Sequence, residues 1–245
     1  MDKLPSAITS AGPDRIHRRK LSDEVFDRLK ELIASDAHPP GSLMPSERDL
    51  MARFGVGRPV VREAMQQLEV LGMVAINHGE RARVLEVTPQ SLFQRMQDPA
   101  RLMLARSAQS LENMKCARIF FERGMVREAA LKATADEVEH LRAILEEQHS
   151  HFGNPPAFID TDMRFHTAIA AISGNPLFAA WSEAMLGWLK IHHQELLIWT
   201  GKEHFALQEH AEVISHIAAH DPDMAEQAMV KHLERTRPLY VPRSN

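Results

Sequence analysis

The chain has 245 residues, 44% of them hydrophobic and 25% charged, which excludes disorder throughout and predicts two domains of unequal length rather than one core. No apolar stretch approaches the ~20 residues needed to cross a bilayer and the N-terminus lacks the apolar core of a signal peptide, so a cytoplasmic protein without a membrane partner is expected. The net charge of −4 would argue against a nucleic-acid partner, but residues 1–85 carry 13 Lys and Arg against 12 Asp and Glu while residues 86–245 carry 16 against 21, so the acidic excess lies in the later part. A single cysteine, Cys116, excludes an internal disulfide and a cysteine-based metal site, and reads as a small buried residue.

Residues 1–20 mix Pro5, Gly12 and Pro13 with a basic run at Arg15, Arg18, Arg19 and Lys20, and read as a flexible basic arm that either touches DNA phosphates or is simply solvated. From Leu21 the apolar residues Val25, Phe26, Leu29, Leu32 and Ile33 share one helical face, with Ser22 available as N-cap. Pro39, Pro40 and Gly41 end that helix. Ser46 and Asp49 then have the spacing of a capping box, predicting a second helix from about Ser46 to Phe54 that Gly55 terminates. A third helix starts near Pro59, a residue suited to a first helical turn. Two short helices around a tight glycine turn are the signature of a helix-turn-helix.

In the third helix Val61, Ala64, Met65 and Leu68 repeat at helical spacing, which leaves Arg58 and Arg62 together on the opposite face near the N-terminus. That is where a recognition helix offers guanidinium groups to guanine edges or phosphates; the plainer alternative pairs these arginines with Glu63 or Glu69. After Gly72 the period becomes two over Met73–Ile76 and again over Ala82–Leu85, with Asn77, His78, Gly79, Glu80 and Arg81 between: a β-hairpin, hence a wing. Arg81 and Arg83 would point to phosphates or a minor groove, with Glu80 either pairing with Arg81 or disfavouring some sequences.

Residues 21–87 therefore read as a winged helix-turn-helix and residues 88–245 as an all-helical domain, giving a mainly α protein. Breaks at Asp98-Pro99, Thr134, Asn154-Pro155-Pro156, Gly174-Asn175-Pro176, Gly201 and Asp221-Pro222 predict six or seven helices in the second part.

Among 14 histidines, most are expected at the surface or beside a site, including His192, His193, His204, His216 and His220. Asp162 and His166 lie four apart, one turn above each other on one helix face. His210 and His232 each stand eleven residues from Asp221, so a chain reversal there into two antiparallel helices would set both imidazoles side by side. Three imidazoles and one carboxylate suit zinc, with nickel, iron or manganese as alternatives.

The run Gly41, Leu43-Met44-Pro45-Ser46-Glu47-Arg48, Phe54-Gly55-Val56-Gly57-Arg58, Val61-Arg62-Glu63-Ala64 and Leu68 to Gly72 resembles the DNA-binding domain of the GntR family of transcriptional regulators, and the remainder resembles the metal-binding helical ligand domain, FCD type, of its FadR subgroup. The resemblance covers nearly the whole chain beyond the arm. It implies DNA contacts at Arg48, Arg58 and Arg62 with the wing near Gly79, and metal ligands at Asp162, His166, His210 and His232. The family's wing tip usually reads glycine, one residue, glycine, whereas here it is Gly79-Glu80-Arg81. That variant, with Arg118-Ile119-Phe120-Phe121-Glu122, looks most like the sialic-acid-responsive repressors of the group.

A homodimer on palindromic operator DNA, switched by a small carboxylate effector, is what the resemblance implies. Four protein ligands on a tetrahedral ion would make a closed, structural site; an octahedral ion would leave two positions for the effector. Arg118 is either a second anchor for the effector's carboxylate or the partner of Glu122. A metal-dependent hydrolase competes with this reading, but no glutamate stands beside the ligand pairs in a metallohydrolase pattern, so no enzyme is expected.

Overall fold

A computed structural model describes residues 19–35, 37–190 and 203–239; the arm before Arg19, His192, His193 and Gly201 lie outside the described residues. The chain divides after Val87 into two compact units.

The first unit holds α1 (Leu21–Ala34), α2 (Glu47–Phe54), α3 (Arg58–Val70) and a two-stranded antiparallel sheet of β1 (Val74–Ala75) and β2 (Arg83–Val84). Val74 pairs with Val84 and Ala75 with Arg83, and Leu43 adds a bridge to Arg83, so the segment before α2 lies along the hairpin. Val25, Leu29, Met44, Leu50, Val61, Ala64, Leu68, Val74 and Val84 form one buried cluster. Ser22 does not cap α1. The helix starts at Leu21 on the backbone of Lys20, and Ser22, one turn before Val25, is buried with the apolar stripe; packing of that face wins over capping chemistry. Ser46 and Asp49 do close a capping box on α2, and Gly55 ends it with φ 64°, a left-handed conformation that a Cβ would penalise.

The second unit contains, among the described residues, eight α-helices: α4 (Pro89–Gln94), α5 (Gln97–Arg106), α6 (Ala108–Lys132), α7 (Ala135–Ser150), α8 (Pro155–Ile172), α9 (Pro176–Lys190), α10 (Glu203–Ala218) and α11 (Pro222–Thr236), followed by a short 3₁₀ turn. This exceeds the six or seven expected. The break missed in the sequence is Ser107, which takes extended backbone and accepts the Ser110 N–H to start α6. Pro99 breaks nothing, because it falls in the first turn of α5, where the missing N–H has no partner to lose. The core is built from α6, α7, α8, α10 and α11, with Val126, Leu141, Phe165, Ile169, Val213, Ile217 and Met229 fully or nearly fully buried. Cys116, expected inside, is exposed with its sulfur 3.5 Å from an Arg237 nitrogen, because the buried stripe of α6 runs through Leu111, Lys115, Arg118 and Glu122 instead.

Leu68→Ala should lower stability by about 2–5 kcal/mol through the cavity it leaves, and Ser46→Ala by about 1 kcal/mol through loss of one cap, both read by denaturant unfolding.

Candidate DNA-contacting face and candidate metal centre

α3 presents Arg58 and Arg62 on its solvent face because Val61, Ala64, Met65 and Leu68 occupy the core face. Neither arginine pairs with Glu63 or Glu69. Both converge on one carboxylate of α2: Arg58 Nε lies 2.7 Å from Glu47 Oε2 and Arg62 Nε 3.6 Å from Glu47 Oε1, all three side chains remaining accessible. Glu63 instead meets Lys20 at 3.5 Å, and Glu69 accepts the Ile76 N–H. Arg48, in the first turn of α2, is exposed. Glu47, Arg58 and Arg62, but not Arg48, border a concavity of about 560 Å³ between the two helices and the wing, lined also by His78, Gly79, Glu80 and Arg81.

The wing differs from expectation in detail. Arg81 turns back and donates from Nε and Nη2 to the Met44 carbonyl at 2.9 and 2.6 Å, and Arg83 likewise donates to the Gly41 carbonyl. Both tie the hairpin to the segment before α2 by supplying donors to the Met44 and Gly41 carbonyls. Glu80 pairs with the Asn77 amide at 3.1 Å rather than with Arg81. Gly79 sits at φ 77°, which explains a glycine at the turn.

In the second unit Asp162 and His166 project from α8, His210 from α10 and His232 from α11, and one ligand atom from each falls within 4.8 Å of the others. The reversal between α10 and α11 is the corner anticipated at Asp221: His220 adopts φ 53°, Asp221 caps α11 through the Met224 N–H, and Pro222 opens the helix. Consequently His210 Nε2 and His232 Nε2 stand 3.3 Å apart, with Asp162 Oδ1 3.5 Å from His210 Nε2 and Asp162 Oδ2 3.8 Å from His166 Nε2. All four residues are buried.

Each imidazole is held by its other nitrogen. His232 Nδ1–H donates to Glu209 Oε2 at 2.9 Å, His166 Nδ1 is paired with Glu122 Oε2, and His210 Nδ1 lies 2.8 Å from Gln148 Oε1. Carboxylates and the amide carbonyl of Gln148 only accept, so the ring proton belongs on Nδ1 and the Nε2 lone pair is left facing inward. The three lone pairs and the Asp162 carboxylate meet with no proton donor among them. That is repulsive by itself and is the donor set that a divalent cation satisfies, so the residues fit a metal ion.

The surrounding charges are arranged to match. Arg118, buried on α6, donates to Glu122 Oε1 at 2.5 Å, so the ion pair weighed for it in the sequence is present. Burial pushes the Glu122 carboxyl up, but the Arg118 charge and His166 outweigh it and hold it at about 2. Glu209 is held at about 2 in the same way, burial being outweighed by His232 and a two-nitrogen grip from Arg235 at 2.8 and 2.7 Å. Asp162 is pushed up by burial yet held well below the usual carboxylate range by the charge that His166, His210 and His232 carry when protonated, with Arg118 adding to them. Burial above all lowers His210 and His232, favouring their neutral forms.

Glu209 and Gln148 escape sequence reasoning. Glu209 adjoins His210 but serves His232, because neighbours on a helix point about 100° apart. Gln148, on α7, has no spacing relation to the four candidate ligands. Of the remaining histidines, His220 contacts the Ala130 carbonyl and His204 packs at a tilt against Phe205, so neither belongs to the centre.

A winged helix-turn-helix with exposed arginines, joined in sequence to a helical unit with a buried ligand set, defines a DNA-binding transcription regulator with a sensor domain. Residues 21–84 match the family profile described as bacterial regulatory proteins, gntR family, and residues 113–235 match the FCD domain. The chain belongs to the gntR family of bacterial regulatory proteins, and the relatives it matches are transcription regulators rather than enzymes. It is 37% identical over 234 residues to the HTH-type transcriptional repressor NanR of Escherichia coli K12, spanning 95% of this chain and 89% of that one. The repressor of the same name from an Enterobacter species is 37% identical over 88% of this chain and 84% of its own. A solved structure, Streptococcus agalactiae GntR, shares the fold with a TM-score of 0.58 at 22% identity, over 89% of this chain and 99% of that one. Among the described residues no helix is long and apolar enough to cross a membrane.

Because the lowered histidines and glutamates take up protons more readily when unfolded, stability is fullest above pH 6.5. In chelator-treated protein it should fall as pH drops through 6.5, from His210 and His232, and fall further from 4.5 towards 2 as Glu122 and Glu209 protonate. Melting temperatures measured across this range check the sign, and saturating Zn²⁺ should raise the melting temperature at neutral pH.

Proposed function

We propose that this chain is a cytoplasmic, homodimeric repressor that binds a palindromic operator through residues 21–87 and reads a small carboxylate through a metal centre in residues 88–245. The single observation that carries the sensor reading is the convergence of three Nε2 lone pairs on the Asp162 carboxylate, each ring fixed from behind by its own acceptor. Asp162, His166, His210 and His232 would hold the ion, with zinc favoured by the donor set and nickel, iron or manganese as alternatives. When bound, such an ion supplies Lewis-acid positions for an anionic oxygen.

Charge balance supports an acidic effector. Glu122 is answered by Arg118 and Glu209 by Arg235, so a dication faces Asp162 as its one unanswered carboxylate and stays positive overall. Arg118 is the proposed second anchor for the effector's carboxylate, a role in which it exchanges its pairing with Glu122 for that carboxylate. Sialic and sugar acids are the leading effectors on the resemblance read from the sequence, and the repressor sense follows the similarity to NanR.

At the DNA, Arg58 and Arg62 read base edges or phosphates. Arg48 and Gly79 contact the backbone of the duplex, and Arg81 contributes from the wing while braced against Met44. On this reading Glu47 is an intramolecular stand-in for phosphate, released as the arginines engage the duplex.

Arg58→Ala and Arg62→Ala should each weaken operator binding about 5–150-fold, in line with about 1–3 kcal/mol per good bidentate contact, with metal content unchanged. Mobility shifts and metal analysis of the same preparations test this; parental affinity in both variants would displace α3 from the groove. Chelation should abolish the response to acid effectors in a chain that still melts cooperatively, whereas a purely structural ion would leave the second unit unfolded.

A further inference from the structure

We propose that Gln148 is the positioning residue of the metal centre, aligning Asp162 and His210 at once through the two ends of its amide. The assignment rests on the metal reading above. Gln148 is wholly buried near the end of α7 and reaches two residues on two other helices. Its Nε2 donates to Asp162 Oδ1 on α8 at 3.2 Å, and its Oε1 faces His210 Nδ1 on α10 at 2.8 Å.

The chemistry at one end dictates the other. The Asp162 carboxylate can only accept, so the NH₂ of the amide must face it and the carbonyl must face His210. A carbonyl can only accept, so His210 carries its proton on Nδ1 and turns a bare Nε2 towards His232, 3.3 Å away. A single amide therefore fixes the rotation of one ligand and the tautomer of another. Glu122 and Glu209 hold His166 and His232 as carboxylates, but neither contact bears on Asp162. A carboxylate in place of Gln148 could accept from His210 yet would set a second anion against Asp162. An apolar side chain would leave both ligands unheld.

The test uses the full chain and Co²⁺, whose visible absorption reports ligand geometry. Chelator-stripped parent and Gln148→Met, which keeps length and bulk without polar atoms, are titrated in parallel. Helicity is followed by circular dichroism. Q148M should retain its helicity, bind Co²⁺ about 10–100-fold more weakly and show a changed spectrum, the loss usual for a group that orients a ligand. Parental affinity and spectrum in folded Q148M would overturn the assignment. Histidine-selective ¹⁵N NMR on the metal-free parent adds a measurement that needs no variant. A His210 proton on Nδ1 supports the assignment and a proton on Nε2 overturns it, which decides the case should Q148M fail to fold. A parent that takes up no Co²⁺ overturns the metal reading and this assignment with it, a result distinct from a parent and a Q148M that bind alike.

Discussion

A neutral imidazole has one proton and two nitrogens, and the second unit is organised around where that proton sits. Three rings must each keep it on Nδ1 for their Nε2 lone pairs to face one point, and each needs its own acceptor behind it. Those acceptors come from three helices: Glu122 from α6, Gln148 from α7 and Glu209 from α10. The apolar packing of α6, α7, α8, α10 and α11 is what brings them within reach of rings on α8, α10 and α11. Burial makes the arrangement both costly and selective. Unpaired polar groups at this depth would each cost about 1–3 kcal/mol, so a misplaced acceptor is penalised twice, once for itself and once for the ring it abandons.

The first unit solves a different problem, that of keeping cations ordered at a surface where solvent would otherwise disperse them. The capping box on α2 fixes Glu47 in the first turn, Gly55 fixes the angle into α3, and Glu47 then takes Arg58 and Arg62 on its two oxygens. The wing is anchored by arginines too, but these spend donors on the Met44 and Gly41 carbonyls. Arginine thus has two jobs here that charge counting alone does not separate.

Much of this is legible in the sequence where a local rule carries the whole signal. Ser46 to Asp49, Gly55 and the period of Val61, Ala64, Met65 and Leu68 specify the helix-turn-helix because capping, left-handed backbone and helical spacing act within a few residues. The proximity of His210 and His232 follows from the Asp221 corner for the same reason. Most of the misses share a cause. Ser22, Cys116 and Arg81 take their roles from neighbours that packing supplies; Ser107 is the exception, a local cap whose Ser110 partner lies three residues on. Gln148 and Glu209 are the extreme case, since their partners lie on other helices.

The corner at Asp221 turns chain length into angular phase. His210 and His232 stand at equal distances from it along two rods of fixed pitch, so each added or deleted residue between either ring and the corner would swing that ring by about 100° and slide it by about 1.5 Å. Length drift between positions 210 and 232 is therefore barred to any lineage that keeps the imidazole pair. Changes of side chain on the outward faces of the same two helices carry no such penalty.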